Sequence, residues 1–313
     1  MDELMLRPAY ANGAHAIGLV AAVMLLQPVA MLAQSHADAQ VALVARAMQP
    51  GEVVRVDVLC ACGAIAPVAS TFGLTVPLSL SPDGTRWQGL VGIDLEAAPG
   101  TYPLVVHAPH LQPPFAHETS LRVQSKRFET RRLWVGPEFV EPPAGVVDRI
   151  RNEASRLDAL FKTITPPAWA WDGLFALPLA TQATRNFGSR TVLNGELRNP
   201  HAGIDFSSPT GTVVTSPAAG TVALVADLFF TGQTVVIDHG AGLYSLFAHL
   251  SSMTVGAGDV VGRGATLGRV GATGRVTGPH LHWGVRLNGA RVDPLSLIFA
   301  TNEPPAQLTR GDR

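Results

Sequence analysis

Residues Gly278 to Pro294 read GPHLHWGVRLNGARVDP. The run from His280 to Leu287 reads as a strand, and Asn288-Gly289 is a strong signal for a tight hairpin into the next one. Side chains at i and i+2 of a strand point to the same face. His280 and His282 therefore look into one small volume. Two surface histidines on an ordinary strand would read the same way, so the rest of the chain has to decide.

The surrounding sequence is also β-like. From Asn186 onward, GTVVTS, GTVALVAD, QTVVIDH and LYSLFAHL are strand-like, with His239 to Gly242 as a turn and no long helical period before Pro294. Residues 180–300 are expected to form one compact antiparallel β domain, followed by a tail over 301–313. Upstream, residues 41–135 show short strand-like runs separated by Pro50-Gly51, Ser81 to Gly84 and Ala98 to Gly100. That spacing suggests an immunoglobulin-like β-sandwich. Between the two, residues 141–175 read as a linker helix. Val146, Val147, Ile150, Leu157, Leu160 and Phe161 fall at helical spacing there, and a Pro- and aromatic-containing lead-in follows. The fold class is mainly β.

Composition narrows the function. The chain of 313 residues is 47% hydrophobic and 15% charged, so it can bury sizeable cores. Its formal net charge of -1 supplies no basic field for nucleic acid or an anionic membrane. Nothing in it sets an oligomeric state. Ala16 to Leu32 is apolar apart from Gln27 and short for a membrane span, with small-residue cleavage patterns after it. Residues 1–37 are expected to be a signal peptide, with a retained anchor as the alternative and the only route to a membrane. Either way the bulk of the chain is expected outside the cytoplasm, in the periplasm or cell envelope or secreted. The two cysteines, Cys60 and Cys62, lie at i and i+2 of an expected strand. A Cα separation of roughly 6.5 Å there is near the limit for a disulfide, which favours buried free thiols over a strained bridge.

Five groups stand out in the C-terminal domain: His201 and Asp205 in NPHAGIDF, His249 in LFAHLS, and the His280/His282 pair. Gly203 and the flanking prolines argue against a helix at His201–Asp205, so that pair must converge through a bent extended segment. Imidazole nitrogen and carboxylate oxygen suit Zn²⁺, and a catalytic zinc takes three protein ligands and leaves one position open. With no cysteines nearby and no carboxylate cage, structural thiolate zinc and calcium are disfavoured. His107, His110 and His117 are scattered through the N-terminal half and read as structural, as does His239. HETSL at His117 begins like a helical zinc-protease signature, but Leu121 stands where its second histidine belongs.

Together HAGIDF, FAHLS and GATGRVTGPHLHWGV resemble the lysostaphin-like (LytM-like) zinc endopeptidases over Phe187 to Pro294. The resemblance implies His201, Asp205 and His282 as zinc ligands, and His249 and His280 as catalytic histidines beside the metal. It implies an exported enzyme that hydrolyses peptide crosslinks of bacterial peptidoglycan with a metal-activated water, its partners being peptide stems. The family often has tyrosine where Phe247 stands. The alternative is an inactive or autoinhibited relative that binds the wall and regulates another hydrolase. VVTSPAAGTVALV with GDVVGRGATLGRV also looks like halves of a lipoyl carrier, but no lysine follows Lys162 to carry the cofactor. No Gly-x-Ser-x-Gly elbow supports a serine hydrolase.

Overall fold

Val53 opens a strand that is buried on both faces. In the computed structural model, which describes residues 39–112, 114–134, 142–165 and 174–304, strand β2 (Val53–Leu59) has Val54, Val56 and Val58 fully buried in a core of its own. Its other parity, Val53, Arg55 and Asp57, faces the C-terminal half. The N-terminal strands are β1 (Gln40–Val44), β2, β3 (Val68–Thr71), β4 (Leu74–Val76), β5 (Ser79–Leu80), β6 (Trp87–Gly92), β7 (Gly100–Ala108) and β8 (Phe115–Val123). They form two four-stranded sheets, ordered β1-β2-β6-β5 and β4-β3-β7-β8. Both sheets contribute to the core around Val56, Trp87, Leu104 and Leu121.

The cysteines correct the expectation of free thiols. Cys60 and Cys62 are joined in a disulfide, with Cα atoms 5.2 Å apart. Strand β2 ends at Leu59, so the pair sits in irregular chain just past the strand, where the Cα atoms come closer than extended strand geometry allows. The expected export signal or anchor lies outside the described residues, as do Trp169, Trp171 and residues 305–313. Among the described residues, no helix is long and apolar enough to cross a membrane.

After β9 (Thr130–Leu133) comes helix α1 (Val147–Phe161), then β10 (Arg190–Leu193) and β11 (Glu196–Leu197). Strand β9 pairs in parallel with β10, and β10 pairs with β11. The main sheet holds β12 (Gly203–Ser207), β13 (Val213–Thr215), β14 (Gly220–Leu228), β15 (Gly232–Asp238), β16 (Leu243–Met253), β17 (Val260–Val261), β18 (Thr266–Val270), β19 (His280–Leu287) and β20 (Ala290–Val292). Every pairing in it is antiparallel, along the order β12-β19-β16-β15-β14-β17. Helix α2 (Pro294–Asn302) closes the described chain, with the Asp293 carboxylate capping it through the Leu295 amide.

One face of this sheet buries Phe206, Phe247, Trp283 and Val285 in a core that Val53, Leu90 and Leu95 of the N-terminal half also enter. The other face receives α1. Phe161 packs edge-on to Tyr244 with ring centroids 5.7 Å apart, beside Leu224 and Val236. Glu153 accepts the Phe229 amide and Arg149 donates to the Asp227 carbonyl. The helix expected as a linker is thus docked on the sheet. Val147, expected on its apolar face, is 41% exposed at the first position of the helix.

The N-terminal half is fastened at α2. Arg55 pairs with Asp57 at 3.0 Å and donates to the carbonyls of Ala300 and Glu303, which the end of the helix leaves without intrahelical partners. Glu52, 2% exposed, meets Arg46, Lys126 and the Ser296 hydroxyl. Burial favours the neutral acid there, but these partners outweigh it and hold the carboxyl below its ordinary range.

Candidate metal centre

Asp205 on β12 stands opposite His282 on β19, and Gly203 stands opposite Gly284. Directly paired residues project from the same face of a sheet. Alternation along the incoming chain, through Gly203, brings His201 to that face as well. His201 is fixed by its backbone, which donates to the Ser189 carbonyl and accepts from the Gly188 amide. Three atoms result in a closed triangle. His201 Nε2 lies 2.9 Å from His282 Nδ1 and 3.2 Å from Asp205 Oδ1, and the latter two are 3.0 Å apart.

Gly203 makes this closure feasible. A Cβ there would lie 2.5 Å from the Trp283 carbonyl oxygen and 2.6 Å from Cε1 of the His282 ring. The ring occupies the space that any side chain would fill.

Asn186 holds two corners of the triangle. Its Nδ2 donates to Asp205 Oδ2 at 2.8 Å, and its backbone carbonyl accepts from His201 Nδ1 at 3.2 Å. The second bond places the neutral-ring proton on Nδ1 and leaves the Nε2 lone pair facing Asp205 and His282. Burial pushes the Asp205 carboxyl up, but its bonds to His201 and His282 prevail and hold it far below the usual range. Burial lowers His282, partly offset by Asp205. An anionic oxygen and two imidazole nitrogens therefore converge on one point.

His249 and His280 flank the triangle. His249 sits in a bulge of β16, where Ala248 and His249 together oppose Thr234 of β15. Its φ of 63° is left-handed. There β16 changes partner, from β19 through Ala248 to β18 from Leu250. The bulge turns the ring toward His280, with centroids 4.7 Å apart, and to 6.2 Å from His282. His249 Nδ1 donates to the Thr273 carbonyl at 2.9 Å, and His280 Nδ1 to the Gly278 carbonyl at 2.9 Å. With Nδ1–H committed in this way, the neutral form of either ring keeps Nε2 as a free acceptor. Burial, with smaller contributions from His282 and His280 against the Thr273 bond, lowers His249 to about 4.

The structure thus brings all five sequence-derived residues together. His239, expected to be structural, is fully buried away from them between the Ala219 carbonyl and the Ser245 hydroxyl. The orienting groups were not assigned from sequence. Asn186 opens the run NFGSR ahead of His201, one residue before the stretch that carries the resemblance. The Thr273 and Gly278 carbonyls belong to backbone and leave no trace in residue type.

The donor set fits zinc. Two imidazole nitrogens and one carboxylate oxygen match a catalytic zinc's three protein ligands. The edges of the triangle are close to the roughly 3.3 Å that ligand atoms about 2.05 Å from a tetrahedral ion would show. Such a face with further imidazoles beside it is the kind of centre that metal-dependent hydrolases use.

Comparison with known proteins agrees. Peptidase family M23 matches residues 199–294, which include all five groups. A crystal structure described as a peptidase M23 from Pseudomonas aeruginosa is 36% identical, covers 81% of this chain and 96% of its own, and superposes with a TM-score of 0.62. The chain belongs to peptidase family M23. The DD-carboxypeptidase/endopeptidase Mpg of Neisseria meningitidis serogroup B is 42% identical over 113 residues, 36% of this chain and 25% of that protein. The peptidoglycan DD-endopeptidase ShyA of Vibrio cholerae is 36% identical over 113 residues, 36% of this chain and 26% of that protein. The matched part is about a quarter of these curated relatives.

Proposed function

We propose that this chain is an exported zinc-dependent endopeptidase that hydrolyses peptide crosslinks of bacterial peptidoglycan. The observation that carries the reading is the closed triangle of His201 Nε2, Asp205 Oδ1 and His282 Nδ1 beside two histidines with free Nε2 atoms. The substrate class is supported by the matched relatives, which are named for peptidoglycan and DD-peptide cleavage. Export is supported by the apolar run from Ala16 to Leu32. It would place the chain in the periplasm or cell envelope, where its substrate lies. An immunoglobulin-like accessory unit is supported by the order of its two sheets, β1-β2-β6-β5 and β4-β3-β7-β8.

His201, Asp205 and His282 would hold the ion, which supplies a water of pKa about 7 and polarises a carbonyl. The remaining chemistry belongs to the flanking rings. With Nδ1–H committed to a carbonyl, each presents a proton acceptor at Nε2. Burial keeps His249 neutral at neutral pH, ready to accept rather than donate. The ring that takes the water proton becomes the acid that protonates the leaving amine. The other ring, beside it, is placed to stabilise the charge that develops on the carbonyl oxygen.

Digestion of purified peptidoglycan followed by mass spectrometry of the fragments tests the reading. New amino and carboxyl ends within peptide crosslinks are expected, abolished by chelator and restored by zinc. Intact crosslinks with zinc-loaded protein would overturn it.

A further inference from the structure

Arg286 shares the metal-site face. It lies at i+4 from His282 on β19, so both side chains project the same way, and Gly284 between them contributes no side chain. Its cross-strand neighbour on β16 is Tyr244, and on β20 it is Arg291. The guanidinium rests over the Phe161 ring of α1, 5.3 Å from its centroid.

Among the described residues no carboxylate makes an ion pair with Arg286. The nearby acids are engaged by Arg291, which reaches Asp94 at 2.7 Å and Glu96 at 2.8 Å. Among the described residues, the guanidinium makes two long polar contacts, 3.5 Å to the Ala202 carbonyl and 3.4 Å to the Val285 carbonyl. Those distances leave most of its donor capacity unused. Burial, with repulsion from Arg291, pulls its pKa down to about 10, against a smaller opposing pull from Asp94. The side chain is partly exposed.

We propose that Arg286 is a carboxylate anchor on the metal-site face, taking a free carboxylate of the peptide whose scissile bond lies over His201, Asp205 and His282. This rests on the peptidase reading above. A planar guanidinium matches a carboxylate through two parallel hydrogen bonds, and that pairing would supply the missing acid. The strand spacing puts the anchor about 13 Å from His282, the span of roughly four extended residues. A peptide running along β19 would be read at a distance from the bond it loses. In a stem peptide the carboxylate can be the C-terminus or the side carboxylate of a diamino acid.

The test compares crosslinked peptides in three forms: both carboxylates free, only the C-terminus amidated, and only the side carboxylate amidated. With the intact zinc-loaded chain, one amidation is expected to lower kcat/KM at least about tenfold, mainly through KM, and so to name the carboxylate. Arg286→Gln should abolish that preference with zinc content unchanged, and Arg286→Lys should restore part of it. Equal cleavage of all three by the wild type would overturn the inference. So would an Arg286→Gln variant that keeps the preference and loses only thermal stability, because Arg286 would then merely fasten α1 through Phe161. The wild-type comparison stands even if a variant fails to fold. Cleavage of none of the three would overturn the peptidase reading, and this inference with it.

Discussion

Asp205 and His282 face each other across the ladder between β12 and β19, with Oδ1 and Nδ1 3.0 Å apart. A sheet register, not a loop, sets the distance between two of the three atoms proposed to hold the metal. Asn186 completes this arrangement by holding Asp205 and His201 at once. Asn186→Ala is expected to weaken zinc binding by about 10- to 100-fold while leaving the fold intact. Competition with a chromophoric chelator measures it.

Gly203→Ala should damage the site more than its size suggests. The new methyl would meet the Trp283 carbonyl at 2.5 Å, where backbone cannot yield without shifting β12 from β19. A loss of about 1–3 kcal/mol in denaturant unfolding is expected, together with a loss of zinc. Gly145→Ala, in open space, serves as the control.

Removing the flanking imidazoles should separate turnover from metal binding. His249→Ala and His280→Ala are each expected to lower kcat by about 10²- to 10⁴-fold. His249 also carries a backbone demand, its φ of 63°. His249→Gly should therefore be about 1 kcal/mol more stable than His249→Ala, although both lack the ring. Equilibrium unfolding compares the two.

Acid should weaken the fold through His239, which burial lowers from 6.5 to about 4. Above pH 6.5 the ring is neutral in both the folded and the unfolded chain, so its full contribution is present. As pH falls from 6.5 to 4, the unfolded chain takes up a proton that the folded chain does not, and stability falls. Below 4 no further loss comes from this group. The loss is roughly 3 kcal/mol. His239→Gln should flatten the dependence of unfolding free energy on pH in that window relative to wild type. An unchanged slope would refute the assignment.

Much of the site was legible because strand alternation is a strict rule. His280 and His282 share a face by period alone, and Gly203 with its flanking prolines ruled out a helix at His201–Asp205. His249 was legible as a member but not as a geometry, because the bulge that aims it depends on β16 exchanging β19 for β18. The cysteines misled for a related reason: Cys60 and Cys62 look like i and i+2 of a strand until β2 is seen to end at Leu59. Val53, Arg55 and Asp57 belong to a run that reads only as a short strand. That Val53 and Arg55 lock onto α2, far along the chain, follows from tertiary packing that no local pattern encodes.

The division of the five residues into metal holders and proton carriers is tested most directly by zinc content per chain after extensive dialysis. One zinc is expected in the wild type and in His249→Ala and His280→Ala, and none in His201→Ala, Asp205→Ala or His282→Ala. Zinc retained by the last three variants, or lost from the first two, would contradict the assignment.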